Sequence, residues 1–141
     1  MKNKFLLLGL FLTIGLTGCQ NIQFPNDTKT GQTNLVTVVN VDSTTGHGKI
    51  SDTFNIDQRV CGYLTHYVDT GKTPKSYDVS WYSGDKLVIK TSYESKGAKR
   101  SPHFLWTCID ASELGAGSGK VEISTDNQAL ATAKFMVTRK P

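Results

Sequence analysis

In Tyr77-Asp-Val-Ser-Trp81 the large apolar side chains alternate with Asp78 and Ser80, Ser83-Gly84-Asp85 has the chemistry of a tight turn, and Lys86-Leu-Val-Ile-Lys-Thr-Ser-Tyr93 follows as a second strand-like run. Alternation on a period of two puts Tyr77, Val79 and Trp81 on one face of a strand, and the glycine-bearing turn folds the next run back beside it as a hairpin. Tyr82 falls out of phase with those three, so when they face the core it faces solvent.

Working outward, the same short-strand grammar recurs. Leu35-Val-Thr-Val-Val-Asn-Val41 is β-branched and nearly continuous, as a well-buried strand is, and turn residues follow at 43–48. Phe54 and Ile56 alternate with polar neighbours, and Val60–Val68 is a further candidate strand that Gly-Lys-Thr-Pro ends at 71–74. Downstream lie Phe104–Ile109, Gly119–Ser124, a turn at 125–128 and Leu130–Val137. Helix is scarce: Asp110-Ala-Ser-Glu-Leu114 has room for one turn, and no internal repeat is visible. Seven or eight short strands with turn chemistry between them predict an all-β fold, an antiparallel β-sandwich or a small barrel.

The first residues have a different character. Met1-Lys-Asn-Lys is basic, Phe5–Leu16 is a run of 12 mostly apolar residues, and Leu16-Thr17-Gly18-Cys19 closes it. That is the layout of an export signal, and the run is well short of the roughly 20 apolar residues that span a bilayer. Leu16–Cys19 resembles the lipobox of bacterial lipoproteins. The resemblance implies diacylglycerol on the Cys19 thiol, cleavage between Gly18 and Cys19, and anchoring to a membrane through lipid, stable because a processed lipoprotein carries at least two chains. Gln20, rather than aspartate, follows the cysteine, which in that family favours the outer membrane. Residues 1–18 are therefore expected to be a signal peptide, 19–34 the lipidated cysteine and a polar tether with a reach of about 20 Å, and 35–141 the β domain.

Loss of Lys2 and Lys4 with the signal takes two of the 16 basic side chains, against 12 acidic ones, so the surplus falls from +4 to about +2. That is too small to point to nucleic acid, and an exported chain meets none in the ordinary course. Of the three cysteines, Cys61 and Cys108 remain as an even pair in an oxidising compartment, and a disulfide is the natural reading. A metal site or a catalytic thiol is the competing one. No Cys-x-x-Cys occurs, and His47, His66 and His103 show no ligand spacing. The order Cys61, Trp81, Cys108 resembles an immunoglobulin-type core, in which a tryptophan packs on an inter-sheet disulfide; the chain departs from it in having Trp106 where the tyrosine two residues before the second cysteine stands.

Motifs that carry chemistry are few. Gly115-Ala-Gly-Ser-Gly-Lys120 lacks the spacing of a phosphate loop and precedes Val121, so it reads as a flexible connection. No Gly-x-Ser-x-Gly elbow and no standout pair of carboxylates occurs, and the expectation is a protein that is not an enzyme and holds no cofactor or metal. The most suggestive surface is the basic loop with Lys96, Lys99, Arg100 and His103, a recognition loop or a solvated hairpin tip, together with Tyr82. Two function classes follow: a non-catalytic accessory module docking onto a cell-envelope protein assembly through a sheet edge or loop end, and an inhibitor or ligand-binding lipoprotein, lysozyme-inhibitor-like or glycan-binding. The first is the expected one.

Overall fold

Val60, Val79 and Val121 are wholly inaccessible to solvent, and each shares its strand face with another buried apolar side chain two or four residues on, Leu64, Trp81 and Ile123 in turn, the period that a two-layer pleated core requires. The computed structural model describes residues 33–39, 41–44, 47–68, 73–95, 101–126 and 128–140. The expected signal segment, Cys19 and most of the expected tether lie outside them.

Among the described residues the chain forms nine strands and one helical turn: β1 (Asn34–Val39), β2 (Lys49–Ile50), β3 (Thr53–Asn55), β4 (Arg59–His66), β5 (Ser76–Ser83), β6 (Lys86–Glu94), β7 (His103–Asp110), α1 (Ala111–Leu114), β8 (Gly117–Thr125) and β9 (Gln128–Thr138). The seven longer strands coincide with the runs read from the sequence. β3 takes up Phe54 of the alternation read at 54 and 56 and stops short of Ile56, and β2 is too short to show a period. The strands make two sheets, β2-β1-β4-β7 and β3-β9-β8-β5-β6, stacked as a sandwich rather than closed into a barrel. Pairing is antiparallel throughout except that β3, which has crossed over from the first sheet, runs parallel to β9.

Side-chain alternation sorts each strand between two clusters. Leu35, Val39, Val60, Leu64 and Ile109 of the four-stranded sheet meet Phe54, Tyr77, Val79, Trp81, Val121, Ile123, Phe135 and Val137 of the other, joined by the α1 residues Ala111 and Leu114. The out-of-phase residues Val38, Cys61 and Tyr63 form a second, smaller cluster on the outer face, joined by Trp106 and Cys108. The disulfide belongs there. Cys61 and Cys108 are directly opposite each other in the β4–β7 ladder and are bonded. It staples two neighbours of one sheet, so the immunoglobulin-type expectation of a tryptophan on an inter-sheet disulfide is corrected: Trp81 packs on Phe135 between the sheets, and it is Trp106 that shares a cluster with the disulfide.

The glycine-rich segment is also not a flexible connection. Gly117–Lys120 is the first part of β8, paired with β9, and Gly119 lies opposite Phe135. A Cβ built on Gly119 runs into the Phe135 ring, which is itself buried. Glycine is needed here so that the aromatic ring can lie across the strand. Gly119→Ala is expected to lower stability by about 1–3 kcal/mol, the usual range for an overpacked core, read as a shift in the urea midpoint; an unchanged midpoint would show that the ring has room to move.

Candidate functional site

The two sheets meet differently on their two flanks. On one, the chain passes from β2 to β3 and so ties the sheets together; on the other, β6 and β7 are the edge strands of different sheets. The β6–β7 connection is therefore a crossover between sheets and not the hairpin tip expected of the basic loop. Tyr93 Oη and Thr107 Oγ1, 2.7 Å apart, bridge this flank by a hydrogen bond. Next to the bridge is a groove of about 210 Å³ between Ile89, Thr91 and Tyr93 of β6 and Thr107 and Ile109 of β7.

β6 is unusual for an edge strand. Leu87, Val88 and Ile89 are consecutive and exposed by 48%, 37% and 43%. Successive residues of a strand point to opposite faces, so an apolar run of three makes both faces of the edge apolar. A bulge where Trp81/Tyr82 meets Leu87–Ile89 interrupts the ladder, and Lys86 and Lys90 stand at either side of the run, both exposed. Bulges and lysines are devices that keep sheet edges from pairing indiscriminately. The signal was in the sequence: three adjacent apolar residues in a strand are at home only in a doubly covered position or at a contact surface. Which strand becomes an edge is a property of the whole topology, and local pattern alone shows only the arm of a hairpin.

Of the site residues that the sequence suggests, Lys96, Lys99 and Arg100 lie outside the described residues, as does Cys19. Tyr82 is half-buried on the outer face of β5, where the Lys120 ammonium lies 4.3 Å from its ring centre. His103 is corrected: it is buried rather than part of a surface. It opens β7 directly opposite His66 of β4, and its Nδ1 is 3.0 Å from the Tyr77 hydroxyl. The next residue, Phe104, points the other way and is the exposed one.

His66 Nδ1 lies 2.8 Å from the same Tyr77 hydroxyl, so two imidazoles share one phenol. The hydroxyl has a single proton; one ring accepts it and the other donates its own N–H to the oxygen. Burial pushes the Tyr77 hydroxyl up to about 12, which keeps it protonated at neutral pH. Burial, and secondarily the neighbouring His103, push His66 below the ordinary histidine range. A depressed folded-state value means the unfolded chain binds the proton more readily, so the stability from this group is present above about pH 6.5 and is lost as the pH falls through the folded value. The melting temperature is expected to drop between neutral and mildly acid pH, with a smaller drop in His66→Gln. An equal drop in both proteins would place the titrating group elsewhere.

Among the described residues no group of three or more His, Cys, Asp or Glu is placed to hold a metal ion, and no helix is long and apolar enough to cross a membrane.

A crystallised immunoglobulin-like protein from Pseudomonas aeruginosa has a similar structure, with a TM-score of 0.52 at 10% sequence identity over 79% of this chain and 100% of that one. At that identity the likeness establishes the fold, an immunoglobulin-like sandwich, and nothing further. No family model matches the chain, and no curated protein does.

Proposed function

We propose that this chain is a lipid-anchored protein of the bacterial outer membrane, and that it works as a non-catalytic accessory module in an envelope protein assembly. The observation that carries the reading is the exposed apolar edge of β6, Leu87–Ile89. Exposed sheet edges of this kind are templates for another chain, and contiguous apolar surface marks contact sites. The Leu16–Cys19 lipobox and the polar residues after it supply an anchor and a spacer that suit a module held near a membrane.

The test is cross-linking in intact cells, followed by purification of the lipidated full-length protein and mass spectrometry of what accompanies it. A defined, reproducible set of envelope proteins, lost with Cys19→Ser, supports the reading. Recovery of the protein alone, or hydrolytic activity lost on replacing one Ser, His or Asp, overturns it. The inhibitor reading rests chiefly on the basic loop, and no contact of a described residue favours it.

A further inference from the structure

We propose that the outer face of the four-stranded sheet holds a neutral oligosaccharide, with one sugar ring stacked on Trp106 and a neighbouring ring on Phe104. The site lies on the other sheet from the β6 edge and does not rest on the accessory reading. A cleft of about 450 Å³ opens there between β7 and the β1–β2 connection, within the range of about 300–1,000 Å³ usual for small-ligand sites. Trp106, the Cys61–Cys108 disulfide and Val41 give it apolar walls, and Asp57, Gln58 and Arg59 of the β3–β4 turn supply polar groups.

The ladder sets these groups in order. Phe104, Trp106, Cys108 and Asp110 follow one another on the outer face of β7, opposite Thr65, Tyr63, Cys61 and Arg59 of β4. The polar end of the site is therefore at Arg59, and an apolar strip runs from the disulfide through Trp106 to Phe104. The two aromatic residues are about 7 Å apart along the strand. Phe104 leans on Tyr63, ring centres 6.1 Å apart, yet remains 48% exposed, and Trp106 is half-buried. β7 is an edge, so no strand among the described residues flanks the strip on its far side.

The chemistry of the cleft selects a saccharide. The face of an aromatic ring is the negative part of its quadrupole, which suits the C–H face of a pyranose, while the hydroxyls around the sugar both donate and accept. Asp57 only accepts and Arg59 only donates. Gln58 Oε1 already accepts the Asn55 N–H at 2.8 Å, which leaves its NH2 group to donate. Asp57 and Arg59 have opposite signs, so the rim carries no net charge to hold an ion. Both are engaged in exposed ion pairs, Asp57 with Lys140 at 2.6 Å and Arg59 with Asp110 at 3.4 Å. Such pairs contribute little, and sugar hydroxyls can take over their bonds at small cost. A wholly apolar ligand would leave the three polar groups without a role, and a charged one would meet its own sign on the rim.

The experiment uses full-length lipidated protein in micelles of a detergent without a sugar head group. Neutral tetrasaccharides of glucose, galactose, mannose and N-acetylglucosamine are titrated by calorimetry, beside a sulfated glucose tetrasaccharide. Tryptophan emission reports the site directly, since the only other tryptophan, Trp81, is sealed in the core. At least one neutral tetrasaccharide is expected to bind and to shift the emission, and the sulfated one to bind no more tightly. Trp106→Ala should weaken binding by about two- to tenfold, with Trp106→Phe in between. Phe104→Ala should weaken the tetrasaccharide and leave the matching disaccharide unaffected, because only the longer chain reaches it. Asp57→Asn lies on the surface and should weaken binding without loss of the fold, whereas Lys140→Ala, which removes the same ion pair and keeps the carboxylate, should not. No binding of any neutral tetrasaccharide at millimolar concentration overturns the proposal, as does tighter binding of the sulfated one. Full affinity in both Trp106→Ala and Asp57→Asn places the sugar elsewhere, and an equal loss in Lys140→Ala makes the role of Asp57 structural; either defeats the assignment. A photo-cross-linker at position 104 that captures an envelope protein in cells gives the face to a protein partner instead.

Discussion

Replacing both disulfide cysteines, Cys61→Ser with Cys108→Ser, is expected to lower the stability of the domain by about 4 kcal/mol, since the bond spans 47 residues of chain and closes a loop of that size in the unfolded state. Against the 5–15 kcal/mol typical of a native domain this is a large fraction, and the melting temperature should fall by on the order of 15 °C or more. Position in the fold sharpens the expectation. β7 is an edge strand, paired on one side with β4 and tied to the other sheet by the Tyr93–Thr107 hydrogen bond, and the disulfide is its covalent link to β4. Without it, amide exchange should rise first along His103–Asp110 and the groove beside β6, and later in β5 and β8 at the centre of the other sheet. The double replacement is preferable to Cys61→Ser alone, which leaves a reactive thiol at Cys108. An unchanged urea midpoint, together with two titratable thiols in the untreated protein, would show that the bond does not form.

Much of this architecture was legible from local pattern. Tyr77, Val79 and Trp81 alternate as a half-buried strand does, and all three are buried; the turn at Ser83–Asp85 joins β5 to β6 as a hairpin; the cysteines that remain after Cys19 are a bonded pair. What local pattern does not contain is which strand lies beside which. The Cys61, Trp81, Cys108 order suggested a disulfide between sheets, but β4 and β7 pair within one sheet, and the cysteines are out of phase with Val60 and Leu64, so they point away from the main core. His103 reads as the end of a basic loop, yet its partner across the ladder turns it inward onto Tyr77. Gly117–Gly119 has the composition of a linker, yet it is paired as strand with β9, and at Gly119 the Phe135 ring takes the space of a side chain. The Leu87–Ile89 edge was legible as a run of residues and not as a surface, since exposure is decided by the absence of a neighbour far away in sequence.

Trp81→Ala is expected to be about as damaging as loss of the disulfide, at about 3–5 kcal/mol for a large aromatic truncated inside a core. Trp81 is 2% exposed. Its ring lies 6.1 Å from that of Phe135, which in turn stands edge-on to Phe54 at 5.8 Å, so three aromatics from β5, β9 and β3 brace one another between the sheets. The cavity left by the indole is walled by strands whose registers are locked by their ladders, and it cannot collapse cheaply. Trp106 provides the control. It is half-buried in the outer cluster with Cys61 and Cys108, and with less area to lose, Trp106→Ala should cost about 1–2 kcal/mol. Combining each substitution with the double cysteine replacement separates the two layers. Trp106→Ala shares neighbours with the disulfide and should couple to its loss by more than about 0.5 kcal/mol, whereas Trp81→Ala should add to it nearly independently. Strong coupling at Trp81 and none at Trp106, read from urea unfolding, would return the disulfide to the inter-sheet place that the order of the cysteines and Trp81 first suggested.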